Sequence, residues 1–224
     1  MHIVHNTQTR PHMIATSAYF DKLAECIVKL HETPVRTDTT YDVLDTEKQE
    51  INKKIALFDR QRTMRQGRIW QYAIGTYQDN QDLGVGDPTG LDVINHVEKY
   101  IVEVKSRTNT DNASSRKANF DKLAKFKREN PDYRCIYATI NADTELKSSR
   151  ATVKKIKHDG IEIEHHAGRE FLRFVFGDDA DAVIEFIKTK IDECTPDPVQ
   201  LGAHDEMQKA ITLLKGCGYT VTSP

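Results

Sequence analysis

The chain has 224 residues, with 32 Lys and Arg against 34 Asp and Glu and a formal net charge of −2. That length buries a real core and predicts one domain, and the near-neutral balance excludes attraction of the whole surface to nucleic acid, leaving local basic patches as the electrostatic route to it. Cys26, Cys135, Cys194 and Cys217 lack Cys-x-x-Cys spacing, there is no apolar run of membrane-spanning length, and Met1 to His5 lack a signal-peptide core. These features speak against a zinc site, a disulfide scaffold and membrane association, and predict a cytoplasmic protein with reduced thiols.

In chain order, Thr16 or Ser17 can cap a helix to about His31, with Phe20, Leu23, Ala24, Ile27 and Leu30 on its apolar face, and Pro34 beyond it. A second helix is predicted from about Thr46 to Arg65, presenting Ile51, Ile55 and Phe58 on one side and interrupted at Gly67. The segment Ile69 to Ile74 is ambiguous between helix and strand, with Trp70 read as core. Gln78 to Gly90, with three glycines and Pro88, reads as a loop that can approach a ligand closely.

The next stretch carries the chemistry. Leu91-Asp92-Val93-Ile94 and Tyr100-Ile101-Val102-Glu103-Val104-Lys105 read as two strands, with Asn95 to Lys99 turning the chain back so that Asp92 meets Glu103 across the ladder. Side chains alternate along a strand, so Glu103 and Lys105 share a face while Val102 and Val104 point into a core. Two converging carboxylates repel unless one holds a proton or a divalent cation joins them, and hard oxygen ligands suit Mg²⁺. Glu145-Leu146-Lys147 repeats the letters, but it follows the turn-like Asn141-Ala142-Asp143-Thr144 and lacks flanking β-branched residues. A salt-bridged pair on a half-exposed strand is the plain alternative for Glu103 and Lys105.

Beyond the hairpin, Ser114 or Ser115 is expected to cap a helix through Glu129, closed by Asn130-Pro131. Cys135 to Ile140 and Ile161 to Glu164 make further strands. Helices follow over Arg169 to Phe176 and Asp181 to Cys194, then a break at Pro196 and Pro198 and a last helix over Glu206 to Lys215. The sum is an α/β fold, a central mixed sheet flanked by helices: a helical N-terminal part (1–66), a catalytic α/β core (67–166) and C-terminal helices (167–224). His165 and His166 face opposite sides of a strand and cannot readily share a metal; one is read as surface and the other as semi-buried.

The run from Asp92 to Lys105 resembles the core motif of the PD-(D/E)XK nuclease superfamily. Its continuation, Ser106 to Lys117, resembles type II restriction endonucleases within it, as do Gly168 to Leu172 and Val175 to Asp178 more weakly. The motif departs from the family pattern in that Leu91, not Pro, precedes the first acid; the Asp-Pro upstream of it is Asp87-Pro88, which leaves Asp87 as a substitute or auxiliary ligand. The resemblance implies a restriction-endonuclease-like core with extra terminal helices, in a bacterial cytoplasmic enzyme. It implies that Asp92, Glu103 and the backbone carbonyl of Val104 hold Mg²⁺ while Lys105 orients or helps deprotonate water, and that the cut leaves 5′-phosphate ends. An acid from an upstream helix, Glu25 or Glu50, can complete the metal site.

Contacts to double-stranded DNA are expected from the polar segment after the catalytic strand and the helix N-terminus it leads into: Arg107, Asn109, Asn112, Ser114, Ser115, Arg116 and Lys117. The acid-free basic stretch adds Lys147, Arg150 and Lys154. Turn chemistry, capping and a solvated face account for the same residues without DNA. A homodimer is expected, because one small domain cuts both strands of a palindrome only by pairing or by cutting twice. By the resemblance, the functional partner is a cognate DNA methyltransferase, and Asn109 to Lys122 resembles enzymes that read GGNCC-type sites. A structure-specific or repair nuclease and a non-catalytic DNA-binding protein are the alternatives.

Overall fold

The computed structural model describes residues 15–34, 43–107, 112–141 and 153–194. Its elements are α1 (Ser17–Glu32), α2 (Glu47–Gly75), β1 (Asn80–Asp82), β2 (Val93–Asn95), β3 (Tyr100–Arg107), α3 (Ala113–Glu129), β4 (Arg134–Asn141), β5 (Val153–His158), β6 (Ile161–Ala167), α4 (Gly168–Phe176) and α5 (Ala180–Cys194). They form a mixed sheet in the order β1-β2-β3-β4-β6-β5 with helices around it, an α/β architecture like that of the restriction endonucleases. The chain divides into two compact units: residues 1–22 with 71–186, and residues 23–70 with 187–224.

The first unit contains the sheet. β1, β2 and β3 form an antiparallel meander, β3, β4 and β6 run parallel, and β5 returns antiparallel on β6. The parallel step from β3 to β4 needs a crossover, and α3 supplies it. On the α3 side, Ile94, Ile101, Leu123, Ala124, Cys135, Tyr137 and Ile163 pack into one buried cluster. On the other side Tyr100, His166 and Arg134 meet the rings of α4, with Phe174 against all three. Both faces are therefore covered, so Glu103 shares its face with core residues and is not the exposed counterpart of Val102 and Val104.

The second unit holds most of α1 and α2. Leu23 and Ile27 of α1 are fully buried, as is Ile69 of α2, while Ile55 and Phe58, expected as an apolar face, are each about half exposed (49% and 51%). Trp70 is only partly buried.

Several local expectations are corrected. α2 does not stop at Gly67: a Cβ there would meet nothing within 4 Å, and a glycine in a helix interior costs only about 1 kcal/mol. The ambiguous segment after it is helical. The loop read over Gln78 to Gly90 contains β1, and the basic stretch contains an edge strand, β5. Asn112, not Ser114 or Ser115, caps α3, its side-chain oxygen accepting from the Ser115 amide. The last predicted helix, Glu206 to Lys215, and the breaks at Pro196 and Pro198 lie outside the described residues.

Candidate active site

The hairpin forms because its turn closes itself. Asn95 accepts from the Glu98 amide at 2.7 Å, Lys99 takes a left-handed φ of 55°, and Asn95 then pairs with Tyr100. That register runs through Val93 opposite Val102, so Asp92, one step beyond the end of β2, faces Glu103. The Asp92 amide donates to the Val102 carbonyl at 3.1 Å, and the Val104 amide donates to the Asp92 carboxylate at 2.7 Å. Val104 thus meets Asp92 through its N–H.

Glu103 is 4% exposed, an unusual place for a carboxylate. One of its oxygens, Oε1, accepts from Lys105 Nζ at 2.6 Å, and the other, Oε2, is buried without a hydrogen-bond partner. Burial, and then the charge of Glu103, push the Asp92 carboxyl up to about 6, against the opposing effects of the Val104 amide and the Lys105 ammonium. An orphaned buried oxygen beside a second carboxylate that resists ionisation is a site short of positive charge. A divalent cation with oxygen ligands fits that deficit, and Asp92 and Glu103 are the residues that would hold it.

Sequence reading missed a third acid. Asp82, at the end of β1, adds its charge to the environment that raises Asp92. It is held by Gln71 and by the Gly84 amide, each donating to Oδ1 at 3.0 Å. α2 and β1 approach so closely that a Cβ on Gly75 would lie 2.6 Å from the Asp82 Cβ, which only glycine allows. No local motif marks Asp82; strand pairing alone brings it here. Asp87, the alternative ligand, is occupied in a turn, accepting from the Thr89 amide at 2.8 Å and from the Thr89 hydroxyl. Glu25 and Glu50 lie on α1 and α2 within the second unit.

The face around the carboxylates is polar toward the ends of the parallel strands. Glu103 pairs in register with Tyr137, Lys105 with Thr139, Tyr137 with His165, and His165 with Lys154 at the sheet edge. His165 is partly buried and 3.2 Å from the Thr139 hydroxyl, whereas His166 is 2% exposed on the opposite face, bonded to Glu164 at 2.8 Å. The two histidines do face opposite sides, but the first is not a plain surface residue and the second is fully interior. Asn112, Ser114, Ser115 and Lys117 are exposed around the start of α3, and Arg116 is partly buried there. Asn109, Lys147, Arg150 and the competing Glu145 triplet lie outside the described residues, as does the side chain of Arg107. Among the described residues, Asp121, His158 and Asp159 also bring ligand atoms within 4.8 Å of one another, but Lys117 and Arg128 already face those acids.

No helix among the described residues is long and apolar enough to cross a membrane. Comparison with known proteins adds an independent finding. No curated protein matches the chain. The model of the Eco47II restriction endonuclease family matches residues 20–188, a span that takes in the whole sheet, the Asp92, Glu103 and Lys105 hairpin and α3. On that match over most of its length, the chain belongs to the Eco47II restriction endonuclease family.

Proposed function

We propose that this restriction endonuclease is a type II enzyme of the PD-(D/E)XK superfamily that hydrolyses double-stranded DNA at a short palindromic site, with Mg²⁺ as cofactor and 5′-phosphate ends as products. The observation that carries the reading is the Glu103 carboxylate, buried, half unsatisfied, tied to Lys105 and set against Asp92. Buried carboxylate oxygens are rarely left without a partner in a purely structural salt bridge. When bound, the cation supplies charge for the phosphate and makes water a better nucleophile at neutral pH.

The chain's own residues do the rest. Asp92 and Glu103 provide hard oxygen ligands, with the Val104 carbonyl as a third. Lys105, 22% exposed and anchored on Glu103, presents an ammonium where negative charge gathers on the phosphate and orients the attacking water. The segment Arg107 to Asn112, the start of α3 with Ser114, Ser115 and Arg116, and the basic stretch with Lys147, Arg150 and Lys154 contact the DNA. Lys154 continues the register row from Glu103 to the sheet edge, which supports its place in that surface.

Two copies related by a two-fold axis present two sites to the two antiparallel strands of a palindrome. Apolar Ile55, Phe58 and Met64, exposed on α2, offer surface for such pairing. A cognate methyltransferase protecting the same sequence is the functional partner, and a GGNCC-type site is the sequence to try first. Plasmid digestion tests the reading: Mg²⁺-dependent discrete fragments are expected, a preference for branched DNA would mark a structure-specific nuclease, and no cutting would mark a non-catalytic DNA-binding protein.

A further inference from the structure

A cleft of about 400 Å³ opens beside α3, lined by Ala113, Arg116, Lys117, Phe120 and His158. It belongs to the same face of the sheet as the carboxylates. Phe120 packs on Tyr137 with ring centroids 5.1 Å apart, and Tyr137 is the register neighbour of Glu103. Phe120 also meets His158 at 5.7 Å, so two rings form one wall of the cleft. One strand spacing and one ring contact separate that wall from the Glu103 strand, on the order of 10 Å, a length over which a DNA strand carries more than one phosphate.

The cations of the cleft are not equivalent. Lys117 is committed to Asp121, at 2.9 and 3.3 Å, and His158 bonds the same carboxylate at 2.6 Å. Asp159 faces Arg128 at 3.9 Å. Arg116, partly buried, has neither an ion pair nor a side-chain hydrogen bond among the described residues. A guanidinium is always charged, carries five donors in a planar fork and matches phosphate oxygens in pairs. An arginine with no carboxylate partner among the described residues, lining a cleft walled by rings, calls for an anion joined to a flat or apolar group, which is what a nucleotide unit is.

We propose that this cleft is a backbone subsite for DNA, in which Arg116 grips a phosphate flanking the scissile one and the attached sugar lies against Phe120 and His158. Lys117 is a brace: it holds Asp121, which holds His158, and it leaves phosphate binding to its neighbour. The proposal rests on the nuclease reading for its substrate.

The test measures binding of a short duplex to Glu103→Ala protein carrying in addition Arg116→Ala, Arg116→Lys or Lys117→Ala, across a salt series. Arg116→Ala is expected to weaken binding about tenfold and to lower the slope of log K against log salt by about 0.9, as one lost phosphate contact does. Arg116→Lys should restore the slope and only part of the affinity, since the charge returns without the fork. Lys117→Ala should leave the slope unchanged. An unchanged slope in Arg116→Ala, or an equal drop in Lys117→Ala, overturns the assignment. Wild-type cleavage in Mg²⁺ is scored in parallel. Loss of binding in Arg116→Ala without any wild-type cutting keeps the phosphate site and removes the nuclease, whereas cutting with normal Arg116→Ala binding does the reverse.

Discussion

Replacing Asp92 by Asn should stabilise the metal-free protein while abolishing its activity. In the folded chain the Asp92 carboxyl is raised from 3.8 to about 6, first by burial and then by Glu103. A shift of about two units corresponds to ~3 kcal/mol between the two protonation states. The folded pKa lies above the unfolded one, so the folded state holds the proton more tightly. Stability is therefore greatest below pH ~4, falls as pH rises from about 4 to about 6, and stays lower above that. Asparagine removes the charge and keeps an oxygen to accept from the Val104 amide. The variant gives up the attraction of Lys105, so the expected gain at pH 8 is about 1 to 3 kcal/mol, or several degrees in Tm for a chain of this length. At pH 4 the two proteins should be nearly equal. Thermal melts in chelator at both pH values measure this. Adding Mg²⁺ should then raise the Tm of the wild type and not that of Asp92→Asn, because only a ligand that binds the folded state adds stability. An Asp92→Asn protein no more stable than wild type at pH 8, with matched stability at pH 4, would refute the charge-deficit argument for the site.

Three further outcomes are expected. Burial would raise Glu164, but hydrogen bonds from Arg134 and His166 outweigh it and hold the carboxyl at about 2, so its contribution is full above pH ~4.5 and lost as pH falls toward 2. Glu164→Gln should cost about 2 kcal/mol at pH 7 in urea melts, a difference that closes at pH 2. Lys154→Ala should weaken binding equally on specific and unrelated duplexes and flatten the salt dependence by about one unit of slope; an unchanged slope would return β5 to a solvated edge. Light scattering of the DNA complex should report two chains per duplex, and supercoiled plasmid should pass to linear product with little nicked circle, whereas a monomer that accumulates nicked circles would remove the case for a palindromic site.

The hairpin from Asp92 to Lys105 is legible because every local signal agrees: β-branched residues from Tyr100 to Lys105, a polar turn, and alternation that sets Glu103 and Lys105 on one face. What escaped depends on pairing between distant segments. β1 reads Asn-Gln-Asp, with no strand propensity of its own, and exists because β2 offers it a ladder; Asp82 arrives beside Asp92 for that reason alone. β5 reads as a basic run because lysines are what an edge strand carries to keep other strands off it. The burial of Glu103 was hidden as well, since its residues do not say that α3 covers that face. Lys117 reaches Asp121 whereas Arg116 meets no carboxylate among the described residues, a difference that adjacent letters cannot reveal.

Digesting one plasmid in Mg²⁺ with wild type, Glu103→Ala and Glu145→Ala and sequencing the ends decides whether Asp92, Glu103 and Lys105 form the cutting site. Wild type and Glu145→Ala should cut at one short sequence and leave 5′-phosphates, while Glu103→Ala binds DNA and cuts nothing. Cutting by Glu103→Ala together with loss of cutting in Glu145→Ala would place the chemistry in the other triplet and contradict the account.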